Sequence, residues 1–139
     1  MMPGPSTISV ASNAEAVRRF FAILAADLPR AVEIHGDDRI TWTLPPTVPG
    51  GARPWEGKPA VMKFLGRMQA GFAPNSMHIE VREMVEAGTR FALRVRITAL
   101  SAGGTPYENE YAFFVSCENG LITEVIEYVD SARVLQIFG

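Results

Sequence analysis

Residues 119–139 read NGLITEVIEYVDSARVLQIFG. Asn119-Gly120 is a turn pair of the kind that joins antiparallel strands, and residues 121–130 are rich in β-branched and aromatic side chains, as a strand is. Ser131 can cap a closing helix that carries Val134, Leu135 and Phe138 on one side. A carboxylate, Glu127, stands in the middle of the strand among valine, isoleucine and tyrosine. On a wet face it would pair across strands with an arginine and add little stability. Inside a pocket it would be a group able to move protons.

The preceding residues supply partners for this strand. Apolar-rich segments at 76–87, 89–100 and 107–118 are broken by Ala87-Gly88, Ala102-Gly103-Gly104 and Glu118-Asn119-Gly120, short breaks that predict antiparallel neighbours. Before them, EGKPAVMKFLGRMQAGF predicts a helix: Pro59 suits a first turn, Val61, Phe64, Leu65 and Met68 form a stripe, and Gly71 stops it. Residues 45–57 hold four prolines, Gly50-Gly51 and Trp55, an irregular loop that reads as a rim or lid or as a long connection. RITWTL, residues 39–44, is a short strand with Ile40, Trp42 and Leu44 on one face. The first helix is capped by Ser12 or Asn13, carries Val17, Phe20, Phe21 and Leu24, and ends near Asp27-Leu28-Pro29. A shorter one follows over 30–35. Residues 1–11 read as a flexible lead-in.

The order helix, helix, strand, helix, strands, helix predicts one α+β domain over 12–139, with a curved, mainly antiparallel sheet wrapped around helices. A chain of 139 residues is long enough to bury a core unaided. With 47% hydrophobic and 20% charged residues and a net charge of −2, it has no electrostatic footprint for nucleic acid or an anionic membrane. No apolar run reaches membrane-spanning length, and the N-terminus lacks a secretory pattern. A single cysteine, Cys117, rules out an internal disulfide and reads as a packing residue. Cytoplasmic placement is the default expectation. His35 and His78 lack metal-ligand spacing and read as surface or packing residues.

GKPAVMKFL after a Trp-containing strand and a proline loop, followed by YENEYAFFVSCENGLITEVIEYVD, resembles the SnoaL-like polyketide cyclase branch of the nuclear transport factor 2-like superfamily, related to ketosteroid isomerases and limonene epoxide hydrolases. The resemblance implies the conical α+β fold, in which the curved sheet wraps three helices and leaves a deep apolar pocket. It also implies a homodimer through the outer sheet face. The implied ligand is a small apolar molecule of polyketide, steroid or terpenoid type, handled without cofactor or metal.

Neither related catalytic set is retained. At the isomerase positions stand Phe20, Thr43 or Leu44, and Tyr111 or Ala112; none is the tyrosine or aspartate that the resemblance places there. Aligned with the hydrolases from EYVD, the chain carries Arg94 and Glu127, but Arg96 replaces the second carboxylate, and a guanidinium cannot exchange protons near neutral pH. What survives is Glu127 as an acid–base residue, held ionised by Arg94 or Arg96, with Tyr111 or Asn109 as hydrogen-bond donor. Phe20, Trp42, Trp55, Val125 and Val129 are expected as pocket walls.

Two outcomes stay open. Arg94 and Arg96 share one strand face while Phe91, Leu93, Val95, Ile97 and Ala99 share the other; the arginines either lie in water or face the pocket. The chain is accordingly a cyclase-, isomerase- or hydrolase-like enzyme, or a non-catalytic module that binds an apolar ligand or dimerises.

Overall fold

The computed structural model describes residues 12–138; the expected lead-in, residues 1–11, lies outside them. Helix α1 (Asn13–Ala26) starts where Ser12 Oγ accepts the Glu15 N–H at 3.1 Å, and it buries Val17, Phe20, Phe21 and Leu24. Asp27 ends it in an extended conformation and at once caps α2 (Leu28–His35), accepting the Arg30 N–H at 3.2 Å. One residue thus turns the chain between two helices, with Pro29 in the first turn where its missing N–H costs nothing.

Strand β1 (Gly36–Thr43) follows, then the proline loop, which contains a two-residue strand, β2 (Trp55–Glu56), paired antiparallel to β1. Helix α3 (Lys58–Ala70) buries Val61, Phe64 and Leu65. Its stop has a packing cause as well as a conformational one: a side chain at Gly71 would collide with the Phe138 ring. Strands β3 (His78–Ala87), β4 (Arg90–Leu100), β5 (Pro106–Glu118) and β6 (Leu121–Val129) run in succession, and α4 (Ser131–Phe138) closes the chain. The β5–β6 turn has Asn119 and Gly120 at φ of 54° and 78°, the two-residue geometry their identities predict. At the start of α4, Asp130 Oδ1 accepts the Ala132 N–H at 3.1 Å.

The sheet order is β2-β1-β6-β5-β4-β3. All neighbours are antiparallel except β1 and β6, which pair in parallel with Trp42 opposite Val125. Because β6 lies between β1 and β5, it is covered on both edges, and its inward residues meet the helices. The predicted inner row of β4 is buried throughout, and Ile40, Trp42 and Leu44 are buried as expected. Phe20 and Phe21 of α1 pack edge-on to one another and reach Trp42 and Phe113 on the sheet, with centroid distances of 5.0–6.1 Å. Among the described residues, no helix is long and apolar enough to cross a membrane.

Candidate active site

Between the helices and the inner sheet face lies a cavity of about 60 Å³. Its wall is apolar: Leu24, Leu28, Leu44, Phe64, Met68, Ile97, Phe113, Val129 and Val134 are among its residues. Side chains with polar groups interrupt this lining: Glu127, Tyr107, Tyr111 and Trp42 with its indole N–H. A space this size takes a few water molecules as it stands; a larger guest must displace flexible wall residues such as Met68 and Met77. A roomier groove of about 550 Å³ adjoins it, sharing Leu28, Phe72 and Met77 as a common wall.

Glu127 reaches the cavity because β6 alternates. Val125, Glu127 and Val129 point inward, opposite Val115, Phe113 and Tyr111 of β5. The parallel neighbour β1 brings Trp42, whose Nε1–H donates to Glu127 Oε1 at 2.9 Å. Among the described residues, no cation accompanies the carboxylate. Burial therefore dominates and pushes its pKa up from 4.5 to about 7, against the smaller downward pull of the Trp42 hydrogen bond. The expected arginine-held carboxylate is thus replaced by one that burial drives toward its neutral form.

The expected arginine partners are on the other side of the sheet. Arg94 Nε lies 3.4 Å from Glu83 Oε1, with both side chains more than half exposed. Arg96 pairs with Glu108 and, at 3.9 Å, with Glu110. The apolar row of β4 fills the core, and alternation sends both guanidiniums to the outer face. Neither contacts Glu127 or lines the cavity.

Tyr111 does line it. Its hydroxyl oxygen is 2.7 Å from that of Tyr107, and its ring stacks on Phe113 at 5.5 Å and an interplanar angle of 2°. Burial, and secondarily the nearby Glu127 charge, push the Tyr111 pKa well above 10, so the hydroxyl stays protonated. Tyr107 is shifted upward as well, by burial. Asn109 lies behind the pair rather than on the cavity wall: it is 4% exposed and its Nδ2 donates to Tyr107 Oη at 2.9 Å.

Of the other expected wall residues, Trp42 and Val129 line the cavity. Phe20 and Val125 are fully buried core residues outside its lining. Trp55 stacks on Phe64 at 4.9 Å and donates to the Gly50 carbonyl at 2.9 Å, bracing the proline loop from outside. The loop enters the wall through Val48 and Pro49 instead. Tyr107 escaped the sequence reading, although Tyr107, Asn109 and Tyr111 sit at alternate positions of one strand and must share a face. Cys117 is buried, its thiol pushed up to about 11 by burial, and donates weakly to Asn13 Oδ1 at 3.4 Å, a packing role as expected. Among the described residues, no cluster of three or more His, Cys, Asp or Glu side chains is placed to hold a metal ion.

With this geometry in view, a family match becomes informative: the SnoaL-like domain matches residues 17–125. The chain belongs to the SnoaL-like family. The SnoaL-like match covers α1 through the middle of β6, so it includes Trp42, Tyr107 and Tyr111 and ends two residues before Glu127. Solved structures agree on the fold. A provisionally assigned SnoaL-like polyketide cyclase from Jannaschia sp. CCS1 is 15% identical, with TM-score 0.76 and coverage of 90% of each chain. A provisionally assigned isomerase from Bacillus subtilis is 20% identical, with TM-score 0.74, covering 91% of this chain and 92% of that one. A protein of ketosteroid isomerase-like fold from Catenulispora acidiphila, solved with trimethylamine, is 18% identical, with TM-score 0.74 and coverage of 88% and 91%. No curated protein matches the chain by sequence.

Proposed function

We propose that this SnoaL-like protein is a cofactor-independent enzyme that moves a proton on a mainly apolar small molecule, in the manner of a cyclase or isomerase. The observation that carries this reading is Glu127: a lone carboxylate in an apolar cavity, with a pKa of about 7 and a tryptophan N–H to orient it. A general acid–base group works best when its pKa lies near the working pH. As the carboxylate, Glu127 takes a proton from a carbon next to a carbonyl. The C–H electron pair forms a carbon–carbon double bond, the carbonyl π pair moves onto the oxygen, and a Tyr111 hydrogen bond stabilises that developing charge. Return of the proton from Glu127 to another carbon isomerises the substrate; attack by the carbon nucleophile on a second carbonyl closes a ring, the second carbonyl's π pair moving onto its oxygen, which takes the proton back from Glu127.

Proton exchange tests this without knowledge of the product. Cyclohexanone and acetophenone incubated with the protein in D2O should lose their α-proton NMR signals faster than in buffer, and Glu127→Gln should remove the acceleration. Equal exchange by wild type and Glu127→Gln would reject Glu127 as the base. Binding of apolar probes with no exchange by either would favour the non-catalytic binding module, which the largely apolar wall also suits.

The outer sheet face supports the homodimer reading. Phe114 and Tyr128 are 41% and 54% exposed there and contact one another edge-on at 6.2 Å. Their cross-strand neighbours are Ala92, Ala112 and Ile126, with the Arg90–Glu124 and Arg94–Glu83 pairs nearby on the same face, an apolar patch with a charged margin that a second copy can cover. Sedimentation of Phe114→Glu should shift the protein toward monomer; an unchanged dimer would move the interface elsewhere.

A further inference from the structure

Asn109 is buried in the polar patch behind the cavity, and its hydrogen bonds leave no freedom in how its carboxamide is oriented. Its oxygen accepts the Glu110 N–H at 2.9 Å, which only an oxygen can do. Its nitrogen lies 3.1 Å from the Asp130 backbone carbonyl, which only an N–H can satisfy. Turning the carboxamide over would break both bonds. The nitrogen's other hydrogen then points to Tyr107 Oη at 2.9 Å.

That contact sets the order of the next one. Tyr107 and Tyr111 are 2.7 Å apart, and either could donate if the pair were alone. A phenol oxygen shares one lone pair with its ring and accepts one strong hydrogen bond well. With Asn109 occupying that position, Tyr107 donates to Tyr111 rather than accepting from it. Tyr111 Oη accepts and keeps its own hydrogen, for which the described residues provide no bonded partner; the cavity that holds Glu127 is the space in front of it. Bonds aligned in one direction polarise one another, so the terminal hydroxyl becomes the better donor.

We propose that Asn109 is a positioning residue which, through Tyr107, aims the Tyr111 hydroxyl hydrogen into the cavity as a donor for an uncharged acceptor oxygen of the substrate. The role of that donor rests on the proton-transfer reading of Glu127; the direction of the chain does not. A carbonyl or ether oxygen suits the site, whereas a ligand offering only N–H or O–H donors at that point meets a hydrogen.

Neutron diffraction from deuterium-exchanged crystals at neutral pH reads the direction itself. Expected are deuterium on the Asn109–Tyr107 line, deuterium from Tyr107 toward Tyr111, and the Tyr111 deuterium facing the cavity. A Tyr111 deuterium lying between the two tyrosines overturns the proposal. Asn109→Asp supplies the functional test, because an acceptor at this position makes Tyr107 donate backward and draws the Tyr111 hydrogen out of the cavity. Ketone exchange should then fall about a hundredfold in kcat with little change in KM. In a Tyr111→Phe background the same substitution should cost nothing further, an outcome that a merely structural role would not give. Additive losses reject the relay. If wild-type protein exchanges no ketone yet the deuterium order is as stated, the proton-transfer reading fails and the orientation stands. If Glu127-dependent exchange is found with the opposite order, only the relay fails.

Discussion

On the outer face of the sheet, Arg94 and Glu83 meet at 3.4 Å with both side chains more than half exposed. On the inner face, Glu127 meets no cation among the described residues and one Trp42 N–H at 2.9 Å. Both carboxylates stand on strands of one sheet, yet the outer one is solvated and paired while the inner one is driven toward its neutral form. The difference comes from strand alternation and burial, not from residue type. It teaches that charge-pair matching along a sequence is a poor guide to chemistry in a sheet, where adjacent positions face different solvents.

Substitutions that treat the two faces alike would break this comparison. The largest effect should come from Glu127→Gln, which preserves shape and removes the titrating group: ketone exchange should drop on the order of 100-fold or more. Arg94→Ala measured beside it should retain the wild-type rate; a comparable loss would mean that the outer arginine reaches the chemistry after all.

Stability against pH sharpens the same contrast. The folded Glu127 pKa of about 7 lies above its ordinary value of 4.5, so the native state holds the proton more tightly than the unfolded chain. Stability from this group is fully present below pH 4.5 and declines as pH rises through 7, a loss on the order of 3 kcal/mol. Urea unfolding at pH 4.5, 6 and 7.5 should show that decline in wild type, and Glu127→Gln should lack that component.

Trp42→Phe comes next. It leaves the carboxylate without its N–H and thins a buried aromatic cluster, at a cost of about 1–3 kcal/mol. Because the lost bond favoured the charged form, the Glu127 pKa should rise further, which carboxyl-carbon NMR would read directly. The smallest effect is expected at Arg94→Ala and Arg96→Ala, each about 0–1 kcal/mol in urea unfolding, since exposed ion pairs gain little.

Much of the fold was legible because its signals are local. The Asn119-Gly120 turn, a helix cap at Ser12 or Asn13 and the grouping of Phe91, Leu93, Val95, Ile97 and Ala99 on one face of β4 follow from residue identity and spacing alone. The site was legible only in part. In ITEVIEYV each row carries one glutamate among mostly apolar side chains, so alternation groups Val125, Glu127 and Val129 without saying which way they point. That choice is made by the parallel pairing with β1 and by the helices above it, contacts distant in sequence. The expected arginine partnership failed for the same reason: Arg94 and Glu127 lie on opposite faces of a sheet that had to be assembled before its sides differed. Tyr107 was within reach, since its alternation with Asn109 and Tyr111 needed no tertiary information.

The parallel β1–β6 pairing also governs when the site can exist. Trp42 and Glu127 are 85 residues apart, and β1 joins the main sheet only through β6. While the chain is being synthesised, β1 and β2 have no edge of the main sheet to dock on until β6, residues 121–129, has left the ribosome. The inner carboxylate and its tryptophan therefore meet only once β6 is in place beside β1, and a chain halted before residue 121 would carry most of the domain with neither the β1–β6 seam nor an acid–base group.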